Sequence, residues 1–405
     1  MRIALIAHEE EGWGGIGTYT AVLARGLGSL GHDVHVVLRG WGEEGVEERE
    51  GVSVHRVAVA EPSWRLGTRT LSERLWESRD ILAFARAASE TIGSIASSTG
   101  LDVVESPDFR AQGLVTRLRH RRIPLVVKLH TPAALVDPLN EPGRRLDPDR
   151  RLAERLERAL VRRARLVTAP SRALAERVAA HWGIAQESIR IVPHPLDAER
   201  FASAAPDAPH EPARVICVGR LERIKGVETL IEAVPRILAA APEARIELVG
   251  EDDPSGHDGA SMLEHLRRRL AELGVPDEAV QFRGAVDRAE LPRLYARAAV
   301  SVVPSLWEGF PYGCLEAMAA GCAVVAGAAG GLPEVVRDGE DGLLVPPGDP
   351  RALGDAVAGL LRDASLRARV GEQARRSVRD RFDQEPVSEA TARLYAEVAS
   401  RRRRG

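Results

Sequence analysis

Short runs of β-branched and aliphatic residues alternate along this chain with longer stretches in which apolar side chains recur every three to four positions. That alternation predicts parallel strands joined by helical crossovers, an α/β architecture. In the first half the runs place strands at Ile3–Ala7, Val34–Leu38, Val52–Val57, Val103–Glu105, Leu125–Leu129, Leu166–Ala169 and Ile189–Val192. Helical patterns such as Thr18–Ser29 and Leu152–Arg163 lie between them, and Ser171 is placed to cap the helix that follows it. A second series runs through strands Arg214–Val218, Ala244–Val249, Val280–Arg283, Val300–Val303, Ala323–Ala326 and Gly342–Val345. Its helices are Val227–Ala240, Ser261–Leu273, Ala289–Ala298 and Gly313–Ala320, and two long helices finish the chain, after Asp349 and from Glu385 onward. The small, proline-rich stretch Ala202–Pro212 has no periodicity and reads as a linker. The expected organisation is therefore a Rossmann-like domain over 1–200, a linker at 201–212, a second Rossmann-like domain over 213–382, and a helix at 383–405 returning to the first domain. Two such domains facing across a cleft bind ligands at the carboxyl ends of their strands.

Composition narrows the classes. The chain has 405 residues and a hydrophobic share of 44%, enough for two buried cores. No apolar run reaches the ~18 residues of a membrane span. The first apolar run meets Glu9, Glu10 and Glu11 with no cleavage-type site, so it reads as a strand and not as a signal peptide. The three cysteines lack metal-type spacing and are expected as reduced thiols in a cytoplasmic protein. A net charge of −3 gives no electrostatic case for nucleic acid. Of 56 basic residues only Lys128 and Lys225 are lysine, which marks both as candidates for chemistry that arginine cannot replace.

Three motifs carry the candidate chemistry. The loop EGWGGIG holds glycines at Gly12, Gly14, Gly15 and Gly17 just ahead of a helix, where backbone can approach a phosphate. A nicotinamide-dinucleotide fold would have the glycines directly after the strand, whereas His8 to Glu11 intervene here. Arg39, ending the second strand, suits a 2′-phosphate, so an NADP oxidoreductase is a remote alternative. In CVGRLERIKG, Arg220 and Lys225 stand between a strand and a helix, placed to stabilise the charge that grows on a leaving diphosphate. In EGFPYGCLE, Glu308 and Glu316 bracket a helix start near Pro311. The backbone donors of Phe310, Tyr312 and Leu315 suit an anion, and the two carboxylates suit sugar and ribose hydroxyls. Solvated surface charge and a tight turn are the plain alternatives for these three motifs.

With these residues the chain resembles retaining glycosyltransferases of family 4, which have the two-domain GT-B fold. The resemblance rests on R-x4-K at Arg220 and Lys225, on E-x7-E at Glu308 and Glu316, on GGLPEVVRDGEDGLLVPPGD from Gly330 to Asp349, on the glycine loop, and on the HTP at His130. It implies that Arg220 and Lys225 bind the diphosphate of a nucleotide sugar, with Gly14 and Gly15 closing over it. It further implies Glu316 on the ribose, Glu308 on the transferred sugar, Arg283 at the base largely through backbone, and His130 near the reacting carbon. A non-catalytic binding module is expected to lack one of these charged residues, and all are present.

The resemblance also implies transfer with retention. No residue stands out as the nucleophile of a two-carboxylate scheme, so front-face displacement is favoured. Asp147-Pro-Asp149 precedes a basic helix and does not read as a metal motif, so no metal or other cofactor is expected. For the acceptor, Glu9, Glu10, Glu11, Glu105 and Asp108 all follow strands. An acidic wall there favours a cationic acceptor such as an aminocyclitol or amino sugar. The alternative is a lipid-linked acceptor reached by membrane docking through RLRHRR, Arg117–Arg122, and the tail SRRRRG.

Overall fold

The computed structural model describes residues 1–12, 14–42, 44–59, 74–140, 147–203, 211–254 and 261–403. The chain divides into two compact units. The first takes Met1–Leu135, Gly143–Pro195 and Gln384–Gly405, and the second takes Val136–Pro142 and Leu196–Asp383.

Unit 1 is built on an eight-stranded sheet in the order β3-β4-β2-β1-β5-β6-β7-β8. Its strands are β1 Arg2–Ala7, β2 Asp33–Gly40, β3 Gly45–Arg49, β4 Val52–Ala58, β5 Val103–Pro107, β6 Leu125–Lys128, β7 Leu166–Ala169 and β8 Ile189–Ile191. All pairings are parallel except β3 with β4. The apolar pattern passes over β3, GVEER, because no face of it is buried and it is held only as a hairpin edge. Unit 2 carries an all-parallel six-stranded sheet, β11-β10-β9-β12-β13-β14. Here β9 is Glu211–Val218, β10 Arg245–Val249, β11 Val280–Gly284, β12 Ala298–Val303, β13 Ala323–Gly327 and β14 Leu343–Val345. Both faces of this sheet are covered. Val215 and Cys217 of β9 enter one core, and Ile216 between them enters the other.

In each sheet the chain runs outward on one side and then returns to the middle to build the other. The direction reverses between β1 and β5 in unit 1, and between β9 and β12 in unit 2. Such a switch point leaves a crevice at the carboxyl ends of the central strands, where open α/β sheets bind ligands.

Ser171 caps the Arg172–Trp182 helix by accepting from the Leu174 amide at 3.1 Å. The linker expected at 201–212 lies mostly outside the described residues. Unit 2 begins at Leu196, because Leu196, Ala198 and Phe201 are buried in its core. The chain ends in three helices and not two, Pro350–Arg362, Ala364–Arg381 and Gln384–Arg403. Asp363 makes the difference: it closes the first and caps the second by accepting from the Leu366 amide at 2.8 Å. The third helix belongs to unit 1. All three cysteines are buried and unpaired. Among the described residues no helix is long and apolar enough to cross a membrane.

Candidate active site

Unit 2 gathers its candidate residues at the switch point. The turn after β9 carries Arg220 and Lys225, and the turn after β12 carries Ser305 and Glu308. Backbone joins the two turns, with the Leu306 amide donating to the Ile224 carbonyl at 2.8 Å. Gly226 makes that closeness possible, and Gly330 in the turn after β13 lets a third loop pack on Glu308; both have left-handed φ, 65° and 58°. A Cβ on Gly226 would stand 2.0 Å from the Pro304 carbonyl oxygen, and one on Gly330 would stand 2.1 Å from the Glu308 carbonyl oxygen. Only a chain with no side chain at these two places can close the loops this tightly.

The result is a contact the spacing could not reveal. Lys225 Nζ donates to Glu308 Oε1 at 2.9 Å, and the Ser305 hydroxyl donates to the same oxygen at 2.8 Å. Glu308 is 9% exposed. Its other oxygen, Oε2, takes no hydrogen bond among the described residues. Arg220 is more open and pairs with Glu222 at 2.9 Å. Glu222 is itself fixed by Asn140, which donates to it at 2.8 Å and accepts from the Ile224 amide at 2.9 Å.

The helix between the glutamates is Tyr312–Ala319, with Pro311 as its N-cap. Its first-turn amides have no intrahelical acceptor, which leaves a positive end facing the loop. Leu315 donates back to the Pro311 carbonyl at 3.2 Å and its side chain is core. Phe310 packs on Tyr312 and Phe382 with centroids 5.9 and 6.1 Å apart. Glu316 is 4% exposed and accepts from Arg288 at 2.8 Å. Burial raises its carboxyl above the usual range, while Arg288 and Arg200 pull the other way. Arg283 sits at the end of β11 and donates to Glu247 of β10 at 2.9 Å, so its guanidinium belongs to the sheet.

In unit 1 the helix Gly15–Ser29 starts on Gly14. Gly15 lies open and Gly17 packs onto the Glu10 carbonyl. His130 follows β6 and its amide donates to Asp108 Oδ1 at 2.8 Å. Its ring meets Tyr19 edge-on at 5.1 Å and His194 at 4.8 Å. Burial, helped by the charges of Lys128 and His8, holds this imidazole down to about 3, so it is neutral. Its Nε2 is buried with no partner among the described residues.

Lys128 is 1% exposed, its Nζ lies 5.2 Å from the centre of the Tyr19 ring, and it donates to the Val192 carbonyl. Burial pushes Lys128 down, to about 7, and Glu105 up, and the attraction between the two opposes both shifts. The Tyr19 hydroxyl donates to Glu105 at 2.7 Å, and Tyr395 of the last helix lies beside it. The scarcity of lysine pointed to Lys128, and its place is a buried polar network with Glu105 and the Val192 carbonyl.

The acidic wall is not free. Glu105 and Asp108 are buried, 4% and 0% exposed. Asp108 is raised to about 7 by that burial. Glu10 pairs with Arg56 at 3.0 Å and Glu11 with Arg25 at 2.7 Å. Glu9 stands 3.2 Å from His8, whose hydrogen bond and charge hold it below its usual range against the effect of burial. Arg39 is taken bidentately by Asp80 at 2.7 and 2.6 Å, which removes the counter-charge the NADP alternative needs. Asp147 caps a helix, accepting from the Asp149 and Arg150 amides.

Sequence reasoning missed Ser305, Asn140, Arg288, His194 and Tyr19. Of these, Ser305 and His194 carried a signal, each being a polar residue within three positions of a strand's carboxyl end.

The family pattern described as "Glycosyltransferase Family 4" matches residues 13–200, and "Glycosyl transferases group 1" matches residues 212–363. The D-inositol 3-phosphate glycosyltransferase of Acidothermus cellulolyticus is 32% identical over 96% of this chain and 87% of that protein. The chain belongs to the group 1, family 4 glycosyltransferases. Among solved structures, sucrose-phosphate synthase from Thermosynechococcus elongatus is similar with 25% identity and a TM-score of 0.75, covering 98% of this chain and 99% of that one. Anabaena HepE, solved with UDP and glucose, shares the fold with 21% identity and a TM-score of 0.70, covering 98% of this chain and 99% of that one. The fold expected from the sequence, two parallel-sheet α/β units of the GT-B type, and the family expected from its motifs both hold.

Proposed function

We propose that this glycosyltransferase moves a sugar from a nucleoside-diphosphate sugar to a hydroxyl acceptor, with retention and without a metal. The contact of Lys225 with Glu308 at the unit 2 switch point carries the reading. It sets a fixed cation, a buried carboxylate and a helix start within one crevice, the set that a diphosphate joined to a sugar requires. Lys225 and Arg220 receive the diphosphate, Glu316 the ribose, and Oε2 of Glu308 the sugar hydroxyls. In unit 1 the reading gives phosphate to the amides of Gly14 and Gly15, and the sugar to the neutral, unpartnered Nε2 of His130. Arg283 contributes its backbone to the base, its guanidinium being held by Glu247.

In the step itself, the bond from the anomeric carbon to the phosphate oxygen breaks with its electron pair passing to the diphosphate. The acceptor oxygen bonds to that carbon on the same face, and its proton goes to the departing phosphate oxygen. Fixed cations stabilise the growing charge more than the ground state, so they lower the barrier.

For the acceptor, the carboxylates expected to meet a cation are buried or paired. A neutral or phosphate-bearing polyol fits better, and the Acidothermus relative is named for such an acceptor. Glu308→Ala is expected to lower turnover by at least ~10²-fold while the protein stays folded. The acceptor reading is checked by offering an inositol phosphate and an aminocyclitol in parallel. Faster transfer to the aminocyclitol would restore the cationic class.

A further inference from the structure

The fold assembles a basic cavity that the transfer reaction does not use. Arg117 lies on the short helix Leu114–Arg119, Arg121 and Arg122 follow it, and Arg165 stands directly before β7. These four arginines line one cavity of about 470 Å³, floored by Ile123, Pro124, Leu125 and, from the last helix, Val398. Backbone fixes its frame, with the Arg165 amide donating to the Leu125 carbonyl at 2.8 Å and the Ile123 amide to the His120 carbonyl at 2.9 Å. Arg117 Nε donates to the Arg163 carbonyl at 2.7 Å, which holds the guanidinium while leaving its terminal nitrogens uncommitted.

None of the four guanidinium groups has a carboxylate partner among the described residues, and no acid lines the cavity. Arginines nearby are satisfied: Arg119 reaches Glu90 at 3.4 Å and Arg190 reaches Glu397 at 3.8 Å. Converging four like charges on one concave wall costs Coulomb energy that an anion would remove. The guanidinium fork matches phosphate oxygens two at a time, and the volume falls within the ~300–1,000 Å³ range of small-ligand sites. The cavity is at the amino ends of β6 and β7, whereas His130 follows the carboxyl end of β6. It is therefore on the opposite edge of the unit 1 sheet from His130, Gly14 and Gly15, the unit 1 residues assigned to transfer.

We infer that this cavity binds a phosphate-bearing anion of at least two negative charges. Concavity favours a discrete phosphate group, and such a group can come from a small soluble molecule or from a lipid headgroup.

The test uses the full chain with inorganic pyrophosphate as the probe, followed by calorimetry, in wild type, Lys225→Ala, and the pair Arg122→Gln/Arg165→Gln in each background. Lys225→Ala weakens the site proposed for the sugar donor, so the second site is read apart from it. The expected result is pyrophosphate binding that persists in Lys225→Ala, weakens with salt, and falls at least about tenfold when both arginines are replaced. Wild type should then show two binding events, of which the arginine pair removes one. In a second arm the same proteins are sedimented with vesicles of equal parts phosphatidylglycerol and phosphatidylcholine. Vesicle binding that needs Arg122 and Arg165 and is displaced by pyrophosphate assigns the phosphate to a lipid headgroup. Absence of arginine-dependent binding in both arms overturns the inference. Arg165→Glu, read alongside circular dichroism, guards against a folding defect in the double variant.

Discussion

Replacing Lys225 with methionine keeps most of the apolar stem of the side chain and removes the ammonium group, and with it both the charge and the hydrogen bond to Glu308. At 2.9 Å from Glu308 the gross attraction is about 6 kcal/mol at an effective dielectric of about 20, and about 1.4 kcal/mol in water. The lysine side chain is 29% exposed, so screening and the cost of desolvating both groups leave a net stability effect of about 1–2 kcal/mol. Catalysis should suffer more. A leaving diphosphate gains negative charge in the transition state, and losing one fixed donor at such a centre costs about 2.7–4 kcal/mol, a ~10²–10³-fold drop in kcat. The two losses are separable by measuring nucleoside diphosphate release beside a urea melt. Because the lysine acts mainly on the transition state, kcat should fall by more than KM rises. A kcat within tenfold of wild type in folded protein would refute the role given to Lys225. So would an activity loss fully explained by the unfolded fraction.

Three further outcomes follow from the geometry. His130 is neutral when folded and titrates at about 3, against 6.5 when exposed, so the unfolded chain binds the extra proton between those values and stability is lost as pH falls through that window. His130→Asn should flatten the loss by up to about 1.4 kcal/mol per pH unit, measured by urea melts at pH 6 and pH 4.5, and equal slopes would contradict the assignment. Lys128→Met strands the buried Glu105 carboxyl and should cost about 3–5 kcal/mol, with Glu105→Gln in the same chain recovering much of it, both read from melting curves. Gly330→Ala puts a Cβ where the Glu308 carbonyl stands and demands a left-handed φ. It should cost at least about 1 kcal/mol and lower turnover by at least about tenfold, whereas a neutral effect would show that the loop closes in another way.

The central strands of both sheets were legible because they are buried on both faces and read as unbroken apolar runs, as in Ile3–Ala7 and Ala323–Gly327. The exposed hairpin strand Gly45–Arg49 and the break at Asp363 were not, since neither changes the apolar period. At the site, the spacing of Arg220 with Lys225 and of Glu308 with Glu316 was visible. That Lys225 reaches Glu308 was not, because it depends on two left-handed glycines letting separate turns touch. Acids that follow strands looked like an open wall for the same reason. Sequence shows that Glu105 and Asp108 end a strand, but only packing shows Tyr19, Lys128 and Tyr395 closing around the first and the His130 amide meeting the second. Arg39 and Arg25 likewise found carboxylates 41 and 14 positions away, distances over which no local pattern extends.

In the function proposed above, the crevice between the turns after β9 and β12 binds the nucleoside diphosphate of a sugar donor. A thermal-shift panel of uridine, guanosine, adenosine and thymidine diphosphates tests it most directly, run on wild type, Lys225→Ala and Glu316→Gln, because a ligand that binds only the folded state raises the melting temperature. At least one of the four is expected to stabilise the wild type, and both substitutions to abolish or greatly reduce that shift. A panel in which no diphosphate stabilises the protein, or in which the shift survives both substitutions, would contradict it.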